Sequence, residues 1–318
     1  MVAQSYSGVS RRTFLTGLTG MAGLAGAGIS ALAWPRAGLS ATTPMLAKPI
    51  PKTGERLPVI GMGSWITMNV GSDNYLRRQR TQVVKTFFER GGGMIDSSPM
   101  YGSSEEVIGH TLAELDQPKG LFSATKVWTQ TRFMGERQIT NSFDLWGIEK
   151  FDLFQIHNLV DWETHLETLL QLKAQGRIRY IGITISHGRK HHAFAAIMRT
   201  QPIDFVQFTY NVRDREAEDV LLPLARERKL AVIINRPFQR GGLFDAYEDK
   251  PLPRWAGEIG CQNWAQFFLK YVVSHPAVTC AIPATSRIDH MIENMGAGHG
   301  PMPDSAMRAR MADYVESL

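Results

Sequence analysis

The chain has 318 residues, 43% of them hydrophobic and 20% charged, proportions that exclude a disordered chain, a fibrous repeat and a polytopic membrane protein. Lys and Arg number 35 against 30 Asp and Glu, for a net charge of +5. That excess is too thin over such a length to indicate nucleic-acid binding, and two cysteines, Cys261 and Cys280, exclude a disulfide framework or a cysteine-rich metal site.

Residues 1–9 carry no charge and lead into Ser10-Arg11-Arg12-Thr13-Phe14-Leu15. A twin arginine followed by Phe and Leu resembles the bacterial twin-arginine (Tat) export signal. Residues 16–33 are uncharged but rich in Gly and Ala, too weakly apolar for a stable membrane helix. Ala31-Leu32-Ala33 has the small-x-small form of a cleavage site. Residues 1–33 therefore read as a signal peptide that the Tat machinery exports to the periplasm. The alternatives are an uncleaved, membrane-anchored N-terminus and a leader that is never used. Residues 34–50, interrupted by Pro35 and Pro44, read as a linker, and residues 51–318 as one domain.

From there short apolar, β-branched runs alternate with longer amphipathic ones. The predicted strands are Leu57–Gly61, Gly93–Asp96, Leu121–Lys126, Asp152–His157, Tyr180–Thr184, Phe205–Phe208, Ala231–Asn235 and Thr279–Ile282. Predicted helices include Gln79–Arg90, Glu105–Leu115, Trp162–Ala174, Glu216–Arg228 and Trp264–Val273, the last inside a longer insertion. Eight βα units in one chain of this length argue for an α/β fold of the closed (β/α)8 TIM-barrel type. No strand–turn–helix carries G-x-G-x-x-G, so the rival doubly wound sheet lacks its dinucleotide fingerprint. Gly61-Met62-Gly63 and Gly91-Gly92-Gly93 read as turns. No heptad seam points to an obligate partner, so a monomer is the default.

Barrel active sites sit at the C-terminal ends of the strands. Asp96, Lys126 and His157 end the second, third and fourth predicted strands, and Tyr101 follows in the loop behind Asp96. A Lys at such a place is costly to bury unless paired, and Asp96 on the neighbouring strand is its partner. Each residue taken singly has a bland reading: a structural ion pair, a turn tyrosine, a core histidine. Glu105-Glu106 reads as charge at a helix N-terminus rather than chemistry. His187, His191 and His192 read as a solvated loop or helix start with no acidic or Cys neighbour for a metal. Cys280, within a predicted strand, reads as buried and inert.

Taken together, Asp96, Tyr101, Lys126 and His157 resemble the catalytic tetrad of the aldo-keto reductase family. The local sequences agree: Ile95-Asp96-Ser97-Ser98-Pro99-Met100-Tyr101-Gly102, Ser123-Ala124-Thr125-Lys126-Val127-Trp128 and Gln155-Ile156-His157-Asn158. The resemblance runs from about Pro51 to about Gly296 and, with the Tat-like leader, suggests an exported bacterial branch. It implies an NAD(P)H-dependent oxidoreductase that interconverts aldehydes or ketones and alcohols. Tyr101 would be the general acid/base, Lys126 would favour its phenolate, Asp96 would hold Lys126, and His157 would bond the carbonyl oxygen. Trp65, Trp128 and Asn158 are implied as walls of the substrate pocket.

The implied cofactor contacts follow the family less closely. Gln207 matches the glutamine on the nicotinamide carboxamide, and Ser64 and Trp65 lie beside it. Thr184-Ile185 stands where the family has Ser-Asn, so the hydroxyl survives and the amide does not. Asn235-Arg236-Pro237-Phe238 stands where the family offers a stacking aromatic. The stretch Thr285-Ser286-Arg287, running to Glu293 and Asn294, resembles the segment that holds the adenosine 2′-phosphate. It points to NADP(H), with NAD(H) as the alternative. The altered contacts at Ile185 and Asn235 leave a second reading open, a low-turnover nicotinamide-binding sensor or partner subunit.

Overall fold

The structure is a computed structural model and describes residues 44–318. The expected signal peptide and most of the expected linker lie outside the described residues. Two short strands come first, β1 (Ala47–Pro49) and β2 (Arg56–Pro58), paired antiparallel. Eight parallel strands follow: β3 (Met62–Gly63), β4 (Met94–Asp96), β5 (Phe122–Val127), β6 (Phe151–Ile156), β7 (Ile178–Thr184), β8 (Phe205–Thr209), β9 (Ala231–Asn235) and β10 (Cys280–Ala281). Each pairs with its neighbour in chain order. The ring closes where Ile60 bridges Ala281 and where the Gly61 and Gly63 amides donate to the Ala281 and Pro283 carbonyls at 2.8 and 3.0 Å. The fold is the predicted (β/α)8 TIM barrel.

The first predicted strand is the one that differs. Leu57–Gly61 reads as one apolar run, but Pro58 has no N–H to give a barrel ladder. The chain divides there: residues 56–58 turn back onto 47–49, inside the expected linker, and the barrel strand starts later. Gly61-Met62-Gly63 is accordingly part of the barrel wall, not a turn. A Cβ on Gly63 would lie 2.9 Å from the Ile282 carbonyl oxygen, so only glycine lets the first and last strands close. Gly91, at φ +84°, does form the predicted turn before β4.

The hairpin has a purpose in the packing. Ile50 and Leu57 join Met94, Phe122, Leu153, Tyr180, Phe205 and Ala231 in one buried cluster. Most of these begin or lie early in their strands, so the hairpin fills the barrel interior at its N-terminal end and leaves the C-terminal end as the mouth. A larger apolar layer lies between the strands and the surrounding helices, with Phe87, Phe143, Trp146, Leu169, Phe194 and Phe268 among its members. The helix Trp264–Val273 falls where predicted, whereas the predicted Glu216–Arg228 divides into a 3-10 turn, Glu216–Glu218, and a helix, Leu221–Glu227. Pro223 is tolerated only within a first helical turn, which fixes that late start.

Candidate active site

Four side chains meet at the barrel mouth. Asp96 is the last residue of β4, Lys126 lies near the end of β5, and His157 directly follows β6. Tyr101 is brought back over them by a turn in which its amide donates to the Ser98 carbonyl at 2.9 Å. Lys126 is fully buried. Its Nζ donates to Asp96 Oδ2 at 2.5 Å and to the Ser97 carbonyl at 2.7 Å, and lies 5.2 Å from the centre of the Tyr101 ring. The Tyr101 and His157 rings stand edge to face, 5.7 Å apart. Asp96 is held on its other oxygen, where Oδ1 accepts from Gln155 Nε2 at 2.9 Å and Gln207 Nε2 at 3.0 Å.

The charges follow from this packing. Burial pulls the Lys126 ammonium down, but Asp96 and Tyr101 more than offset it, so Lys126 is held above the ordinary lysine value. Burial raises the Tyr101 phenol, and Asp96 adds to the rise; Lys126 and Arg236 pull it back. The net direction is upward, which corrects the expectation of a lowered phenol. The Lys126 attraction is present, but desolvation of a phenolate exceeds it. Tyr101 therefore rests protonated. Burial, assisted by the Lys126 charge, holds His157 well below the usual imidazole range, so it is neutral at pH 7.

A cleft of about 800 Å³ opens from these residues. Of the predicted contacts it is lined by Ser64, Trp65, Asn158, Thr184, Gln207, Arg236, Pro237, Phe238, Thr285, Glu293 and Asn294. Trp128, expected as a wall, does not line it. Gln138 of the helix Arg132–Trp146 binds both the amide and the carbonyl of Trp128, and the residue stays 40% exposed. Ser286 and Arg287 do not line it either. Arg287 is exposed and bidentate to Asp289, with Nε donating to Oδ1 at 3.0 Å and Nη2 to Oδ2.

Several residues here carry no sequence signal of their own. Gln155, which holds Asp96, and Ser98, which lies against His157, stand in no pattern that marks them. Arg240 lies over the Trp65 ring at 4.4 Å, joining opposite rims of the cleft. Glu105 lies in the first turn of its helix, as expected, but does not face solvent. It is buried and accepts from Thr125 Oγ1 at 2.6 Å, Trp146 Nε1 at 3.0 Å and Ser142 Oγ at 3.1 Å. It ties the helix Ser104–Glu114 to the strand that carries Lys126. Burial raises its carboxyl above the usual range. Among the described residues no His/Cys/Asp/Glu group is placed to hold a metal. His191 Nδ1 instead lies 3.3 Å from Glu216.

Comparison with known proteins identifies the family of the chain. Residues 59–311 match the Aldo/keto reductase family, and the chain belongs to that family. It is 27% identical over 210 residues to the aldo-keto reductase YhdN of Bacillus subtilis, a match spanning 60% of this chain and 62% of that protein's length. It is 26% identical to the aldo-keto reductase str7 of Strobilurus tenacellus, over 78% of this chain and 87% of that one. Among solved structures, a Klebsiella pneumoniae aldo/keto reductase in complex with NADP and acetate superposes with a TM-score of 0.71 at 24% identity. That superposition covers 84% of this chain and 94% of the other.

Proposed function

We propose that this protein is an NAD(P)H-dependent carbonyl reductase, able to run in reverse as an alcohol dehydrogenase. The observation that carries the reading is the buried Lys126–Asp96 pair set against a protonated Tyr101 and a neutral His157 at the mouth of one long cleft. The cleft's chemistry fits a dinucleotide. Its lining offers the Thr184 hydroxyl and Asn235, whose buried Oδ1 has no partner among the described residues. It also carries Arg236 and Arg240, cations suited to a pyrophosphate, and Thr285, Glu293 and Asn294. When bound, the nicotinamide supplies the hydride. His157 orients the carbonyl oxygen, Tyr101 gives that oxygen its proton, and Lys126 compensates the phenolate left behind. Asp96 keeps Lys126 charged and in place. The half-exposed indole of Trp65 forms part of the wall. Single-turnover oxidation of NADPH against a panel of small aldehydes and ketones tests the reading, and its failure with every member counts against it.

NADP(H) is the expected cofactor, with Arg287 as the group that selects the 2′-phosphate once it leaves Asp289. Arg287→Ala is expected to raise the Kd for NADPH about tenfold, the worth of one charge-assisted bidentate contact, and to leave NADH unchanged. Equal Kd values for NADPH before and after the change would remove Arg287 from the site.

The protein is further proposed to act in the periplasm after Tat export, on the strength of Arg11-Arg12 and the uncharged, Gly- and Ala-rich stretch behind them. A reporter fused to residues 1–41 is expected to be exported, and Arg11→Lys with Arg12→Lys to retain it in the cytoplasm. Retention of the unaltered fusion would end this part of the proposal.

A further inference from the structure

We propose that Ser98 is a positioning residue that fixes which nitrogen of His157 carries the proton. The inference rests on the carbonyl-reductase reading. A neutral imidazole has two tautomers, and only the one protonated on the nitrogen facing the substrate donates a bond to a carbonyl oxygen. The other tautomer presents a lone pair there and repels the oxygen as its negative charge develops. Nothing in the tetrad itself makes the choice.

The surroundings of Ser98 do. Ser98 Oγ lies 2.9 Å from His157 Nδ1. Both residues are buried, Ser98 to 1% exposure and His157 to 4%, so water does not compete for the contact. Either atom can donate in principle, and the backbone breaks the tie. The Met100 amide donates to Ser98 Oγ at 3.4 Å, occupying an acceptor position of the hydroxyl, and among the described residues no further acceptor for the hydroxyl proton lies within bonding distance. The hydroxyl therefore donates to Nδ1, and the imidazole proton resides on Nε2. Two features keep the imidazole neutral and the choice meaningful: burial and the nearby Lys126 charge. The edge-to-face Tyr101 ring at 5.7 Å restricts its rotation. Ser98 sits two residues from Asp96 and three from Tyr101, so one short segment sets the lysine's counter-ion, the proton donor and the histidine tautomer.

The test is the ¹⁵N spectrum of the histidine side chains in the full chain without cofactor, with the His157 signals assigned by their loss in His157→Gln. The expected result is a protonated Nε2 and an unprotonated, hydrogen-bonded Nδ1. In Ser98→Ala the Nδ1 signal is expected to move to that of an unbonded acceptor, with the Nδ1–H tautomer becoming populated. Ser98→Thr, which keeps the hydroxyl, is expected to restore the wild-type signal. Carbonyl reduction in Ser98→Ala is expected to fall about tenfold in kcat, as for a weakened oxyanion donor, with the Kd for cofactor unchanged. A wild-type spectrum showing the proton on Nδ1 overturns the proposal without any variant, as does an Nδ1 signal that does not respond to Ser98→Ala. If the spectra come out as expected but the wild type oxidises NADPH with no carbonyl compound of the panel, the tautomer assignment stands and the reductase reading fails instead; if His157→Gln reduces carbonyls as well as wild type, the tautomer has no bearing on the reaction and the positioning role is overturned.

Discussion

Tyr101→Phe is expected to lower carbonyl reduction by roughly 10²- to 10⁴-fold, the usual contribution of a positioned general acid, while the Kd for NADPH changes little. The substitution removes one oxygen and leaves the ring. The edge-to-face contact with His157 and the position over Lys126 therefore survive, and the loss reports the proton alone. Because Tyr101 rests protonated, the deficit should appear in the direction of reduction across neutral pH. Pre-steady-state absorbance of NADPH separates the two steps: binding intact with oxidation lost is the expected pattern. Oxidation unchanged by Tyr101→Phe would place the acid elsewhere, and binding with negligible turnover even in the wild type would favour a nicotinamide-binding sensor.

Asp96→Ala is expected to destabilise the fold by about 3–5 kcal/mol, the range for removing one partner of a buried ion pair. Lys126 has no exposed surface, and without Asp96 its ammonium retains only the Ser97 carbonyl and the phenol. Gln155 and Gln207 lose their common acceptor at the same time. Urea unfolding measures the change, and Asp96→Asn provides the control. That variant preserves an acceptor oxygen for one of the two roles but no charge, so it should fall between wild type and Asp96→Ala. Lys126→Met in the Asp96→Ala background removes the stranded charge and is expected to recover part of the stability without activity. No recovery would mean that the cost of Asp96→Ala comes from the two glutamines rather than from the lysine.

Much of the barrel was legible because its strands are apolar runs that end in a polar residue, and that punctuation marks the catalytic rim. Three of the four candidate residues could be read for this reason, since Asp96, Lys126 and His157 each interrupt such a run, whereas Tyr101, in a loop, was legible only through the family resemblance. The first strand could not, since Leu57, Val59 and Ile60 are equally apolar on either side of the break that Pro58 imposes. Side-chain partners brought together by the fold were the least legible. Ser98 looks like any turn serine until His157 arrives from a strand 59 residues away. Glu105 looks like ordinary helix-start charge until Thr125, Ser142 and Trp146 close around it. The absence of Trp128 and Arg287 from the cleft lining has the same origin. Gln138 and Asp289 are local partners that compete for Trp128 and Arg287, and sequence resemblance to a ligand-binding segment does not register such competitors.

The hairpin beneath the barrel also bears on the order of events in a catalytic cycle. Ile50 and Leu57 pack among the inner side chains at the N-terminal end of the barrel, so among the described residues Tyr101 is approached from the mouth. A carbonyl compound bound at the mouth would stand between Tyr101 and bulk water. The tyrosine regains its proton only after the alcohol departs, so recharging of the acid follows product release. Where product release limits turnover, buffer acids should leave the rate untouched, since they act only after that step.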